Sequence, residues 1–165
     1  MPPILPFRLK VPGTDRFENF EAVSTSFRFR GHLGFDGDLL IISWAGVARV
    51  QEVGILTVRD DQLPLPCEEI TVPVSHLARA GLDGGWWRPR VRLQAKVSGT
   101  LSLIPSEAAG TVQFWLSRRD RRAAGALVAV LEEAIATVTD TEGRALGPSN
   151  SDKPFDTPRS GLTTA

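Results

Sequence analysis

Between Ser26 and Leu116 the chain alternates apolar and polar residues with a period of two, the pattern of half-buried strands. Phe27, Phe29, Gly31 and Leu33 alternate with Arg28, Arg30 and His32, and the Asp36-Gly37 pair that follows predicts a hairpin turn. Leu39 to Trp44 is a continuous apolar run, which predicts a strand covered on both faces, and Val53 to Arg59 predicts another strand. Ile70, Val72 and Val74 alternate next; Pro73 lacks a backbone donor and pushes that strand toward an edge or a bulge. Leu77 to Leu82 reads either as its continuation after a bend or as a helical turn. Val91, Leu93, Ala95 and Val97 alternate with Arg90, Arg92, Gln94 and Lys96, and Val112, Phe114 and Leu116 close the series.

After Ser117 the period changes. Ser117-Arg118-Arg119-Asp120 fits a capping box, in which the serine hydroxyl accepts an orphan backbone N–H and the acid three residues on reaches back. Ala124, Leu127, Leu131, Ile135 and Val138 then recur at spacings of three and four, while Arg122, Ala129, Glu132, Glu133 and Ala136 fall elsewhere on the helix. Such a stripe must pack on something, and the strands are its only partner. The expected fold is α+β and mostly β: an antiparallel sheet of six or seven strands, a partly open barrel or sandwich, capped by one C-terminal amphipathic helix. Residues 1–25 read as an N-terminal extension, with Phe17, Phe20 and Val23 at helical spacing after a Thr14 or Asp15 cap. Residues 26–139 read as the domain. Residues 140–165, rich in Pro, Gly, Ser, Thr and Asp, read as a disordered tail.

Several antiparallel strands followed by one C-terminal helix resemble a pleckstrin-homology-like domain. The segment ITVPVSHLARAGLDGGWWRPRVRLQAK is similar to the middle of small bacterial members of that superfamily and of related GRAM-type domains. The resemblance runs from about Ser26 to Val138 and is one of architecture, since the superfamily has no invariant motif. It implies a non-enzymatic binding module that uses a partly open barrel to hold phosphoinositides, peptides or other domains. It also implies a head-group site in a basic loop joining the first two strands. The corresponding loop here, Gly34-Phe35-Asp36-Gly37-Asp38, is acidic and repels phosphate.

Composition narrows the setting. A hydrophobic share of 42% and a charged share of 23% in 165 residues describe one soluble globular domain. No apolar run approaches a membrane-spanning length. MPPILPFRLK carries its positive charge at its end, the reverse of a signal peptide, and a single cysteine, Cys67, forms no internal disulfide; a cytoplasmic location is expected. The net charge of zero conceals an asymmetry: Gly84 to Arg122 holds eight basic residues against Glu107 and Asp120, a segment charge of +6. Such a segment focuses its field on an anionic partner.

Catalytic and metal-binding patterns are missing from the sequence. His32 sits on a polar strand face, and His76 adjoins Ser75 in a bend, which is not how a nucleophile meets its base. Cys67 lies between Pro66 and Glu68, where acids oppose a thiolate. Asp36-Gly37-Asp38 lacks the further oxygens of a calcium loop, so neither cofactor nor metal is expected.

The remaining candidate is GGWWRPRVRLQAK, from Gly84 to Lys96. In a strand, Arg88, Arg90 and Arg92 share one face while Pro89, Val91 and Leu93 take the other. That is either a solvated outer face or an anion site. Arg28 and Arg30 repeat the pattern on another strand, and Arg118, Arg119, Arg121 and Arg122 crowd a helix start whose dipole is already positive. Trp86 and Trp87, if the strand begins there, point opposite ways, one into the core and one to solvent. The candidate binding residues are therefore Trp86, Trp87, Arg88, Arg90, Arg92, Arg28, Arg30, Arg118 and Arg119. A protein partner is expected, with an anionic lipid surface as the second option. Nucleic acid fits less well, because aromatic residues do not interleave the basic ones. The alternative function is a small lipocalin-like barrel around an apolar ligand, which requires that Leu127, Leu131 and Ile135 leave its interior free.

Overall fold

The alternation seen at residues 27–33 is one segment of a much longer strand. In the computed structural model, which describes residues 4–18 and 20–145, seven strands precede one helix: β1 (Leu5–Glu18), β2 (Glu21–Asp36), β3 (Leu39–Val53), β4 (Val58–Pro73), β5 (Leu77–Asp83), β6 (Arg90–Ala95), β7 (Thr111–Trp115) and α1 (Arg121–Ala145). All pairs are antiparallel, in the order β4-β3-β2-β1-β7-β6-β5, so the sheet is unclosed and its edges are β4 and β5. The edge position suits β4, which carries Pro64, Pro66 and Pro73.

Several sequence expectations change. Leu5, Phe7 and Leu9 are buried and alternate with exposed Pro6, Arg8 and Lys10, so the N-terminal segment is a strand in the middle of the sheet. The expected helical turn at Phe17, Phe20 and Val23 is instead the hairpin joining β1 to β2, with Phe20 at φ 67°. Cross-strand pairing outweighs a three-residue coincidence of spacing. The run from Leu39 is covered on one face only: Leu40, Ile42 and Trp44 are buried, while Leu39, Ile41 and Ser43 are partly or fully exposed. Val53 to Arg59 spans the β3–β4 turn, where the Gly54 N–H donates to the Thr57 carbonyl at 2.8 Å. Leu77 to Leu82 is strand, entered through a single 3-10 turn at Val74–His76.

The helix stripe lies where its spacing places it. Ala124, Leu127, Leu131 and Ile135 are buried, and α1 packs on β5 and on the turn before it. Ser117 does cap, accepting the Arg119 N–H at 3.4 Å, but it caps a 3-10 turn, so the α-helix begins at Arg121. It continues to Ala145, beyond the expected boundary at residue 139. The rest of the expected tail, residues 146–165, lies outside the described residues. Among the described residues no helix is long and apolar enough to cross a membrane.

The sheet's inner face supplies Leu33, Leu40, Ile42, Leu93, Val112 and Phe114, and Leu101 and Ile104 enter from the β6–β7 connection. Past Val11, β1–β4 continue as a four-stranded arm, with residues 12–17 of β1 exposed. Close packing predicts two outcomes. Leu131→Ala, at a site with no exposure, removes about 2–5 kcal/mol of stability, measurable by denaturant unfolding. Gly31→Ala places a methyl inside the van der Waals radius of the Ser43 carbonyl and the Phe7 ring; its melting temperature falls below that of a Gly34→Ala control, whose added Cβ meets only Ile41 at 3.9 Å.

Candidate functional site

Residues directly opposite each other in a sheet share a face. The register therefore sets one row across six strands on the outer face: Asp83, Arg90, Trp115, Arg8, Arg30 and Ala45. One register step away, Lys10 faces Arg28, which faces Val47. Arg8 opposite Arg30 and Lys10 opposite Arg28 make two like-charge pairs side by side. Among the described residues no carboxylate forms an ion pair with any of these four.

Trp115 lies between the two halves of this surface. The Lys10 ammonium sits 3.8 Å from its ring centroid and the Arg90 guanidinium 5.1 Å. Arg90 is half-buried, donates from Nη1 to Gln113 Oε1 at 3.1 Å, and leaves its Nε–H without a described partner. A groove of about 840 Å³ opens alongside, with Arg8, Lys10, Arg28, Arg30, Arg88 and Arg118 in its walls, Trp87 and Trp115 among them, and no carboxylate among the described residues. Aromatic and basic side chains do interleave here, although they do not along the sequence.

The Gly84–Pro89 turn forms the far wall. Gly84 adopts φ 89°, and a Cβ there would collide with the Arg88 carbonyl, so only glycine suits the position. The turn is tied to the helix start by Arg121, whose Nη1 donates to the Gly84 and Gly85 carbonyls at 3.4 and 3.3 Å. Trp86 and Trp87 are both turn residues, 57% and 75% exposed, so neither enters the core. The Arg118 guanidinium lies 4.5 Å from one ring centroid and 4.6 Å from the other. On its other side Trp86, Arg119, Arg121 and Arg122 line a second groove of about 650 Å³.

The structure thus brings together Arg28, Arg30, Trp87, Arg88 and Arg118, with Trp86 and Arg119 on the far side of Arg118. Arg90 lies against the Trp115 ring from the neighbouring strand. Arg92 is apart: it faces Asp83 at 4.0 Å, over a small depression on β5 and β6. The strands carrying Arg28/Arg30 and Arg90/Arg92 do not adjoin, being separated by β1 and β7. It is Arg8, Lys10 and Trp115, absent from the sequence candidates, that connect the two sets. The signal for them was the alternation of Leu5, Phe7 and Leu9 with Pro6, Arg8 and Lys10.

The head-group loop inferred from the resemblance was also misplaced. Asp36-Gly37-Asp38 joins the second and third strands, and the first hairpin is flanked by Glu18 and Glu21, acidic as well. His32, His76 and Cys67 are exposed, and among the described residues no three metal-binding side chains cluster. Arg49, on the outer face of β3, is already engaged: its Nε donates to Asp60 Oδ1 at 2.8 Å. That bond and the charge behind it hold the Asp60 carboxyl below its ordinary range. No family model, curated protein or solved structure matches this chain.

Two measurements check this geometry. Arg118→Gln removes a cation from two exposed rings, so tryptophan emission shifts while stability falls by no more than about 1–2 kcal/mol; unchanged emission would mean that Arg118 does not stack. A depressed carboxyl is charged, and stabilises its pair, above the ordinary carboxylate range, and loses that stabilisation as pH falls through its folded-state value. Carboxyl-carbon NMR should find Asp60 titrating at lower pH in the parent than in Arg49→Gln, and equal midpoints would remove the pair.

Proposed function

We propose that this chain is a non-enzymatic interaction module of the pleckstrin-homology-like kind, and that its groove holds an acidic segment of a protein partner. The observation that carries the reading is the set of uncompensated cations. Arg8, Lys10, Arg28, Arg30, Arg88 and Arg118 line one groove with no carboxylate among the described residues, two like-charge pairs among them directly opposed. Opposed like charges destabilise a sheet by roughly 0.2–1 kcal/mol per pair. An anionic ligand converts that repulsion into attraction.

A protein segment suits the site better than a flat surface. The cations line a concave channel beside Trp87 and Trp115, and a side-chain-bearing chain uses both the charges and the rings. The strand order, with β1 between β2 and β7 and a helix after β7, supports the architectural analogy. Burial of Leu127, Leu131 and Ile135 favours a surface-binding module over a barrel enclosing an apolar ligand, because the stripe occupies the interior.

The test is fluorescence titration with a Glu/Asp-rich peptide containing an aromatic residue, its charge-neutral counterpart, and anionic vesicles. The acidic peptide should bind, more weakly as salt rises. The triple variant Arg8→Gln, Arg28→Gln, Arg30→Gln should lose roughly tenfold or more in affinity, with a melting temperature no lower than the parent's because both like-charge pairs are removed. Binding to vesicles but not to peptide would replace the protein partner with a membrane surface. Indifference to the triple variant would move the site elsewhere.

A further inference from the structure

The ends of the two long hairpins expose several large apolar side chains close together, the kind of patch that marks an interaction surface. Phe17 is 80% exposed, Phe20 90%, Ile55 81%, Leu56 94% and Val58 70%. They form one patch. The register aligns Phe17, Ala22, Val53 and Val58 in a row across β1–β4, and Gly54 in one turn lies beside Glu21 of the other. Around this patch stand Asp15, Glu21 and Glu52, with Arg16 among them and the bridged pairs Arg49–Asp60 and Arg59–Asp61 beside them, so the acids outnumber the bases. The tip is apolar with an acidic collar. The groove is aromatic with a cationic collar. The two surfaces match in both respects.

We infer that the partner of the groove is a second copy of this chain, whose hairpin tips dock against Trp86, Trp87 and the surrounding arginines. This rests on the reading under "Proposed function" and names the acidic segment. The contact is between molecules: the strand from Val11 to Phe17 covers roughly 20 Å and holds a protomer's tip away from its own groove. The acidic collar makes an anionic bilayer a poor occupant of the tip. The C-terminal residues 146–165 carry two acids and two bases, so they offer the groove no net charge. Tip and groove are different surfaces, so the contact is heterologous and each protomer keeps one free half for the next.

Sedimentation velocity of the full chain, across concentration and at low and high salt, reads the association. The average mass should rise with concentration and fall with salt. Leu56→Asp at the tip and Arg28→Glu in the groove should each weaken self-association by ~30-fold or more, as loss of an interface anchor does. Mixing the two variants should restore a complex, because one retains an intact groove and the other an intact tip.

Three results overturn the inference: a monomer at every concentration, a mixture that stays dissociated, or association lost in Leu56→Asp but untouched by Arg28→Glu, which marks a tip-to-tip contact. If the chain stays monomeric while its groove still binds acidic peptide, only self-association falls. If the peptide also fails to bind, the groove reading falls with it.

Discussion

One register position, Arg8 opposite Trp115, joins the two halves of the sheet. On one side lie four strands of 14 to 16 residues, on the other three of 5 to 7. So short a backbone seam cannot fix the angle between halves, and side chains must do it. On the inner face Phe7 meets Phe114 edge to face, ring centroids 4.6 Å apart. On the outer face Trp115 is the corresponding element, with Lys10 and Arg90 against its ring. The interior thus secures the joint while its outer surface carries charge. Fold and site meet at the same residues.

The relative sizes of the terms explain why that charge is tolerated. A buried leucine such as Leu131 contributes about 2–5 kcal/mol, and the core contains many such residues. Two opposed cation pairs cost together about 0.4–2 kcal/mol, less when salt screens them. The repulsion is too small to unfold the sheet, yet an anion placed in the groove would relieve it. Cation–π contacts act similarly: exposed ones are worth about 0.5–1 kcal/mol, enough to pre-arrange Arg118 beside Trp86 and Trp87 without locking it.

Sequence alone made the antiparallel sheet and its helix legible, because the periods are strong and each element buries the face its pattern marks. Leu127 and Leu131 lie where a spacing of four puts them, and Pro73 does mark an edge strand. Boundaries and partners were less accessible. Phe17 and Phe20 imitate helix spacing, and nothing local reveals that Glu18 will pair with Glu21. Alternation along a strand would put one of Trp86 and Trp87 in the core and the other in solvent, but the turn needed at Gly84 keeps both outside. Five residues of the candidate groove were visible in the sequence: Arg28, Arg30, Trp87, Arg88 and Arg118. The rest were not, because Arg8, Lys10 and Trp115 acquire their place beside the others from strand order, which a single sequence does not encode locally.

Strand length gives the charge distribution its significance. Strands of globular proteins commonly run about 5–6 residues; β1–β4 run 14 to 16. Shorter hairpins would end near the groove, and their acids would neutralise its arginines within one molecule. The extra residues, mostly exposed along the arm with Ala22, Val23 and Val50 half-buried, bury little and so add little stability. Their effect is separation: they place the acidic, apolar tips about 20 Å from the cations, well beyond the screening length at physiological salt. A chain with no net charge is thereby divided into two opposed surfaces, neither of which can satisfy the other within the same molecule. Polarity of this kind is what head-to-tail association requires, and it follows here from strand length rather than from any excess of charge.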